Sequence, residues 1–443
     1  MPKKAEMPGK MMLRGERTTH PGAQWFPEAG LGLFMHWGIV SAHPETGEAW
    51  DMRVYRDHVP YDGSGTMHPP AEFFELARTW NPERYDPDKW MKAAKLGGFN
   101  YAVLTTRHHD AYALWPSKFG DWHTGTYMEG RDLVKPYVEA CHKNDMKAGF
   151  YFSGPSWYHG HEFQNYMFPD EDKPPFVNWR HEEVDELPPW PESLRGASRV
   201  IARGQALELL TDYGEIDLWW PDGDFPLTVV EVRELQPQIV TNNRQDNRRG
   251  DFVTPEGSEM MAMEWLEEVN RHGWWWEYCT IGHGNSWHWS PVTDTTGWGA
   301  AAYLWSLSEV RARGGNLLLN IAPRPDGEMP PWFYPTCEEM GAWLAHSREA
   351  IYEIDVNGPF PYPDQCRWPV TVKDNTWYAF AHYAKEERQK PIEISDVDRP
   401  ASVIELRTGA PLSYDYAGRK LTVRIPNEMR ADMPEVVKLT FTQ

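Results

Sequence analysis

The stretch E-I-D-L-W-W-P-D-G-D-F, residues 215–225, is the starting point. Ile216, Leu218, Trp219 and Trp220 form a short apolar run. Pro221 has no N–H to donate and ends sheet pairing. Asp222 then stands at the mouth of the strand, and Gly223 lets the backbone turn away. Asp-Gly is also ordinary turn chemistry, so the stretch alone does not separate a turn aspartate from a working carboxylate. An ionised carboxylate at the end of a buried strand, walled by Trp220, can attack a sugar carbon.

Moving outward, apolar runs that end in polar residues recur. They are 32–40 (G-L-F-M-H-W-G-I-V), 99–106, 146–153, 238–243, 274–281 and 316–322. Helical patterns lie between them at 70–78, 87–96, 131–144, 200–213, 229–235, 297–311 and 336–350. Strands alternating with helices predict parallel βα units. The polar tips favour a (β/α)8-type barrel, whose sites sit at the strand ends; a doubly wound open sheet is the alternative. Residues 251–256 (D-F-V-T-P-E) read as irregular. Residues 154–199 form a long Pro- and Trp-rich insertion, which reads as a lid, a specificity wall or a disordered segment. Beyond about residue 357 short strands with turn residues between them predict an all-β sandwich. The expected division is a flexible leader at 1–24, a catalytic barrel at 25–352 and a C-terminal β-sandwich domain at 353–443.

Composition narrows the function. A chain of 443 residues with net charge -21 argues against nucleic acid or an anionic membrane as partner. No apolar run approaches the roughly 20 residues of a membrane span. The basic first residues lack an apolar core, so no signal peptide is read and a cytoplasmic location is expected. Cys141, Cys279, Cys337 and Cys366 are widely spaced, which reads as free thiols rather than a zinc knuckle or a disulfide scaffold. There are 24 Trp, 20 Tyr and 17 Phe, more Trp than core packing uses, and aromatic faces stack on the C–H faces of sugars. A homo-oligomer is left open.

The strand tips carry His36, His108, His109, Asp110, Tyr151, Asp222 and Arg244, with Glu256 downstream. Alternation puts Phe34 and His36 on one strand face and Leu33, Met35 and Trp37 on the other. Two metal patterns compete with the carboxylate reading. His108-x-Asp110 resembles part of an iron triad, and His159-x-His161 a metal-hydrolase pair. Adjacent His108 and His109 are expected to face opposite ways, which weakens a shared ion. No metal and no cofactor is expected.

Together the motifs F-M-H-W-G-I-V-S (34–41), L-T-T-R-H-H-D-A-Y (104–112), G-F-Y-F-S (149–153) and D-L-W-W-P-D-G (217–223) are specific. N-N-R (242–244), G-D-F-V-T-P-E (250–256), W-E-Y-C-T-I (276–281) and G-G-N-L-L-L-N-I-A-P (314–323) continue the series. The chain resembles the α-L-fucosidases of glycoside hydrolase family 29. That resemblance implies a retaining exo-glycosidase acting on a fucosylated glycan or small fucoside. It makes Asp222 the nucleophile and Glu256 the acid/base, with Glu264 and Glu277 as fallbacks. Phe34, His36, Glu48, Trp50, His108, His109, Tyr151, Trp220 and Arg244 would line the sugar subsite. The chain departs from the family pattern at Glu48-Ala49-Trp50, at His108-His109-Asp110-Ala111-Tyr112 and at Trp287-His288-Trp289. These changes leave open a related L-sugar such as L-galactose, or a sugar-binding protein without turnover.

Overall fold

The computed structural model describes residues 12–45, 49–55, 67–168, 173–223, 226–256, 263–284 and 286–442, with the side chains of 263–265 and 267 outside that description. Eight parallel strands form one sheet: β1 (Leu31–Met35), β2 (Tyr101–Arg107), β3 (Lys147–Ser153), β4 (Leu218–Asp222), β5 (Val240–Thr241), β6 (Phe252–Val253), β7 (Trp275–Ile281) and β8 (Asn316–Asn320). The order β6-β7-β8-β1-β2-β3-β4-β5 would be open if it stopped there. A parallel bridge between Asn242 and Phe252 joins its two edges, and Asp251 N donates to Thr241 O at 2.7 Å. The sheet is therefore a closed barrel, not the open alternative.

Alternation along each strand builds two cores. Phe34, Tyr101, Val103, Tyr151, Leu218 and Trp220 pack inside the barrel. Leu33, Met35, Trp37 and Trp219 face the surrounding helices. Inside, β1 approaches β2 so closely that a Cβ on Gly32 would lie 2.2 Å from the Tyr101 ring. Only a residue without a side chain fits there.

Helices α1 (Pro70–Glu75), α2 (Pro87–Leu96), α3 (Val134–Lys143), α4 (Glu192–Thr211), α5 (Val229–Leu235), α6 (Met263–Arg271), α7 (Ala300–Arg311) and α8 (Phe333–Ser347) wrap the barrel. The α2 helix shows how sequence sets a boundary. Asp86 caps it by accepting from Lys89 N, Pro87 opens it, and Gly97 follows it.

The structure corrects several expectations. β1 stops at Met35 rather than at residue 40, because Trp37 N is taken by Thr105 Oγ1 at 2.9 Å instead of a strand partner. β5 and β6 are joined by a 3-10 turn (Asp246–Arg248), with Asn247 at φ 54. The 251–256 segment contains strand β6 rather than being irregular throughout. The described part of the leader is not loose. Leu13 is buried, Arg14 N bonds Arg248 O, and Thr18 N bonds Asp251 Oδ1 at 2.7 Å. These contacts brace the β5–β6 seam where the barrel closes. The 154–199 insertion is ordered where described, with short strand pairs at 54–55/167–168 and 176–177/183–184, and α4 begins eight residues earlier than read.

After residue 352 the chain forms two antiparallel sheets. One holds β9 (Val370–Lys373), β10 (Thr376–Ala381), β15 (Glu435–Thr440) and β12 (Ser402–Glu405) in that order; the other holds β11 (Ile392–Ile394), β14 (Lys420–Val423) and β13 (Tyr414–Ala417). Val370, Val403 and Val437 from the first sheet pack with Ile394, Leu421 and Val423 from the second. The pair docks on α8, where Trp343 Nε1 donates to Pro434 O at 2.8 Å.

Candidate active site

The C-terminal strand ends meet around a cavity of about 360 Å³ lined by Phe34, His36, Trp50, His108, His109 and Tyr151, and further by Trp220, Asp222, Arg244, Glu256 and Trp287. Asp222 is the last residue of β4. Gly223 follows at φ 77, a left-handed conformation that suits glycine, and turns the chain sharply away from the mouth. Asp222 Oδ2 accepts from Tyr151 OH at 2.9 Å and Oδ1 from Arg244 Nη1 at 3.0 Å. The other end of the same guanidinium donates from Nη2 to Glu256 Oε2 at 2.8 Å. Two carboxylates distant in sequence thus share one planar fork. Burial opposes the Arg244 charge, but Glu256 and Asp222 outweigh it and raise its pKa well above the ordinary value. Its guanidinium carbon lies 4.6 Å from the Trp220 ring centroid.

The histidines divide into two tautomeric roles. Asn320 Nδ2 donates to Trp287 O at 2.7 Å, so Asn320 Oδ1 faces His36 Nδ1, 2.7 Å away. His36 Nδ1 therefore carries the proton and Nε2 is left as an acceptor. His109 Nε2 lies 3.8 Å from Asp222 Oδ2, and Ser153 Oγ is 2.6 Å from its Nδ1. The favoured tautomer holds the proton on Nε2, toward the carboxylate, and accepts from Ser153. Burial lowers both histidines to about 4, so each is neutral at pH 7. His108 stacks on Tyr151 with centroids 5.3 Å apart, and its Nδ1 has no hydrogen-bond partner.

Several expectations meet other outcomes. His108 and His109 line the same cavity with ring centroids 4.5 Å apart rather than facing opposite ways; they lie beyond Arg107, where β2 has ended and pleating no longer holds. Glu48 lies outside the described residues, as does the Glu264 side chain. Glu277 is fully buried beneath the cavity, receiving Tyr101 OH at 2.6 Å and Trp220 Nε1 at 2.9 Å. Burial pushes it up to about 7. It supports the floor and does not line the cavity. Asp110 Oδ1 accepts from Tyr112 N, and His161 Nδ1 donates to Tyr158 O; among the described residues neither pair belongs to a group of three ligand side chains. A different set, His43, His68 and Glu72, does come together outside this cavity.

Sequence reasoning noted Trp287 only as a departure from the family pattern and gave it no role; it lines the cavity, its ring centroid 5.0 Å from that of His36. His288, noted in the same departure, is set against His36 and His108 at 5.4 and 4.8 Å; the supporting roles of Asn320 and Ser153 were missed. The polar residues ending β8 and β3 were the available signal for the last two.

A closed parallel barrel with paired carboxylates in an aromatic cavity at its C-terminal mouth is the architecture of a barrel glycoside hydrolase. A family model described as Alpha-L-fucosidase matches residues 14–349. An alpha-L-fucosidase of Branchiostoma floridae is 25% identical over 445 residues, covering 94% of this chain and 91% of its own. The plasma alpha-L-fucosidase of Rattus norvegicus is 26% identical over 343 residues, covering 75% and 71%. The structure of alpha-L-fucosidase isoenzyme 1 from Paenibacillus thiaminolyticus superposes with a TM-score of 0.73 at 26% identity, covering 96% of this chain and 99% of its own. The chain belongs to the alpha-L-fucosidase family. No helix among the described residues is long and apolar enough to cross a membrane.

Proposed function

We propose that this enzyme removes terminal α-L-fucosyl residues with retention of configuration. The observation that carries the reading is the single Arg244 fork holding Asp222 and Glu256 at the mouth of the barrel. In the first step Asp222 attacks the anomeric carbon, the bond to the leaving oxygen breaks, and Glu256 delivers a proton to that oxygen. In the second step Glu256 takes a proton from water, whose oxygen displaces Asp222 from the anomeric carbon. Glu256 must leave Arg244 and gain a proton before the first transfer, since the guanidinium favours its ionised form. Loss of the Asp222 charge in the glycosyl-enzyme then favours ionised Glu256, ready to act as base.

His36 Nε2 accepts from one sugar hydroxyl and His109 Nε2 donates to another. Phe34, Trp220 and Trp287 give the cavity an apolar wall that suits the methyl of a 6-deoxy sugar. That wall favours fucose over L-galactose, whose extra hydroxyl would lose its water there. The four cysteines, all buried and unbridged, suit a reducing compartment.

The test is turnover of an aryl α-L-fucoside, followed by the Asp222→Gly variant. Turnover is expected to fall about a thousandfold or more, and azide should restore product as the β-L-fucosyl azide. A fully active variant removes Asp222 from the role.

A further inference from the structure

A second cavity, of about 490 Å³, shares Trp50, His109 and Pro155 with the sugar cavity and is otherwise built largely by the insertion and α4. Its aromatic walls are Trp50, Trp157 and Trp190. One face of α4 overhangs it: Arg195, Ser198, Arg199 and Ala202 all line it, at the spacing that places side chains on one side of a helix. Arg53 joins them from the loop after β1, its guanidinium carbon 5.0 Å from the Trp157 ring centroid. In a chain of net charge -21 this lining holds three arginines and, among the described residues, no carboxylate. Arg195 lies over Trp190 at 5.4 Å. Neither Arg195 nor Arg199 is paired with a carboxylate among the described residues, and both are exposed to solvent.

A third cavity also adjoins Asp222, but it has no aromatic wall and includes Asp246. The contrast assigns different chemistry to the two neighbours. We propose that the Trp- and Arg-lined cavity is a subsite for the part of the substrate beyond the fucose, and that it selects an acidic sugar bearing a carboxylate or a sulfate ester. The proposal rests on the fucosidase reading of the adjoining cavity. Tryptophan faces stack on the sugar ring, as in other carbohydrate sites, and the guanidinium forks of Arg195 and Arg199 take the oxyanion.

The test compares three disaccharides with the full-length enzyme: α-L-fucosyl-galactose, α-L-fucosyl-galacturonate and α-L-fucosyl-(6-sulfo)galactose. At low salt at least one anionic substrate should exceed the neutral one in kcat/KM by about tenfold. High salt should reduce that ratio. The ratio should also fall about tenfold in the Arg195→Gln/Arg199→Gln variant, whose glutamines keep helix propensity. Preference for galacturonate identifies a carboxylate, and preference for the sulfated sugar identifies a sulfate ester. Equal rates on all three, or a ratio that survives in the double variant, overturn the proposal. If no fucoside is turned over, the aryl substrate included, it is the hydrolase reading that has failed. The subsite is then read by binding of digalacturonate through tryptophan fluorescence. Salt-sensitive quenching that the double variant loses upholds it; no quenching overturns it.

Discussion

At the scale of single residues, Arg244 does what neither carboxylate does alone. Without it Asp222 and Glu256 would face the cavity as two like charges with no shared counterion. Arg244→Met should therefore lower the unfolding free energy in urea by about 2–3 kcal/mol, as well as slowing turnover. Arg244→Lys should recover little activity, because one ammonium cannot reproduce two parallel contacts. Glu256 is best separated from its neighbours by leaving-group dependence. In Glu256→Ala, aryl fucosides with good leaving groups should lose less kcat/KM than a natural disaccharide. An equal loss on both would move the acid to another side chain.

At the scale of elements, the floor of the site depends on how closely β1 and β2 approach. Tyr101 fills the space above Gly32 and passes its hydroxyl to Glu277, which also receives Trp220. Gly32→Ala should push Tyr101 away, cost about 1–3 kcal/mol of stability, and raise KM through the displaced Trp220. Unchanged KM with lowered stability would show that the floor and the site are uncoupled. The alternating faces of β1 were readable from residue spacing. The early start of α4 was not, since Pro191, Ser193 and Gly196 read as loop. The later turns of that helix pack on the segment after β2, where Gly204 meets the Phe119 ring and Gln205 Nε2 donates to Phe119 O.

At the scale of the molecule, buried titratable groups set the response to acid. Burial lowers His36 and His109 to about 4 and His159 and His283 to about 3. Unfolded, they titrate near about 6.5. Below that pH the unfolded chain binds more protons than the folded one, so their contribution is complete above about 6.5 and is lost as pH falls through the folded values. Glu277 works in the other direction. With a folded pKa of about 7, its contribution is complete below about 4.5 and is lost as pH rises through 7. Asp110, pushed up to about 6 by burial, acts in the same direction as Glu277; four histidines outweigh these two carboxyls, so urea stability should fall from pH 6.5 to 4. Glu277→Gln should make the fall between pH 7 and 4.5 steeper, because the opposing gain is gone; an unaltered slope would mean that Glu277 does not hold its proton in the fold.

The linear sequence determined the strand–helix alternation, the polar strand tips and the all-β end, because periodicity and breakers act over a few residues. It also placed Asp222, His36 and Arg244 at strand ends. Closure of the barrel through Asn242 and Phe252, the Arg244 fork and the burial of Glu277 under Trp220 were decided in three dimensions. So was the arginine-lined cavity beside the site, whose walls come from segments far apart in the chain. Each of these depends on which side chains meet across the fold, and a one-dimensional pattern carries no record of distance between strands.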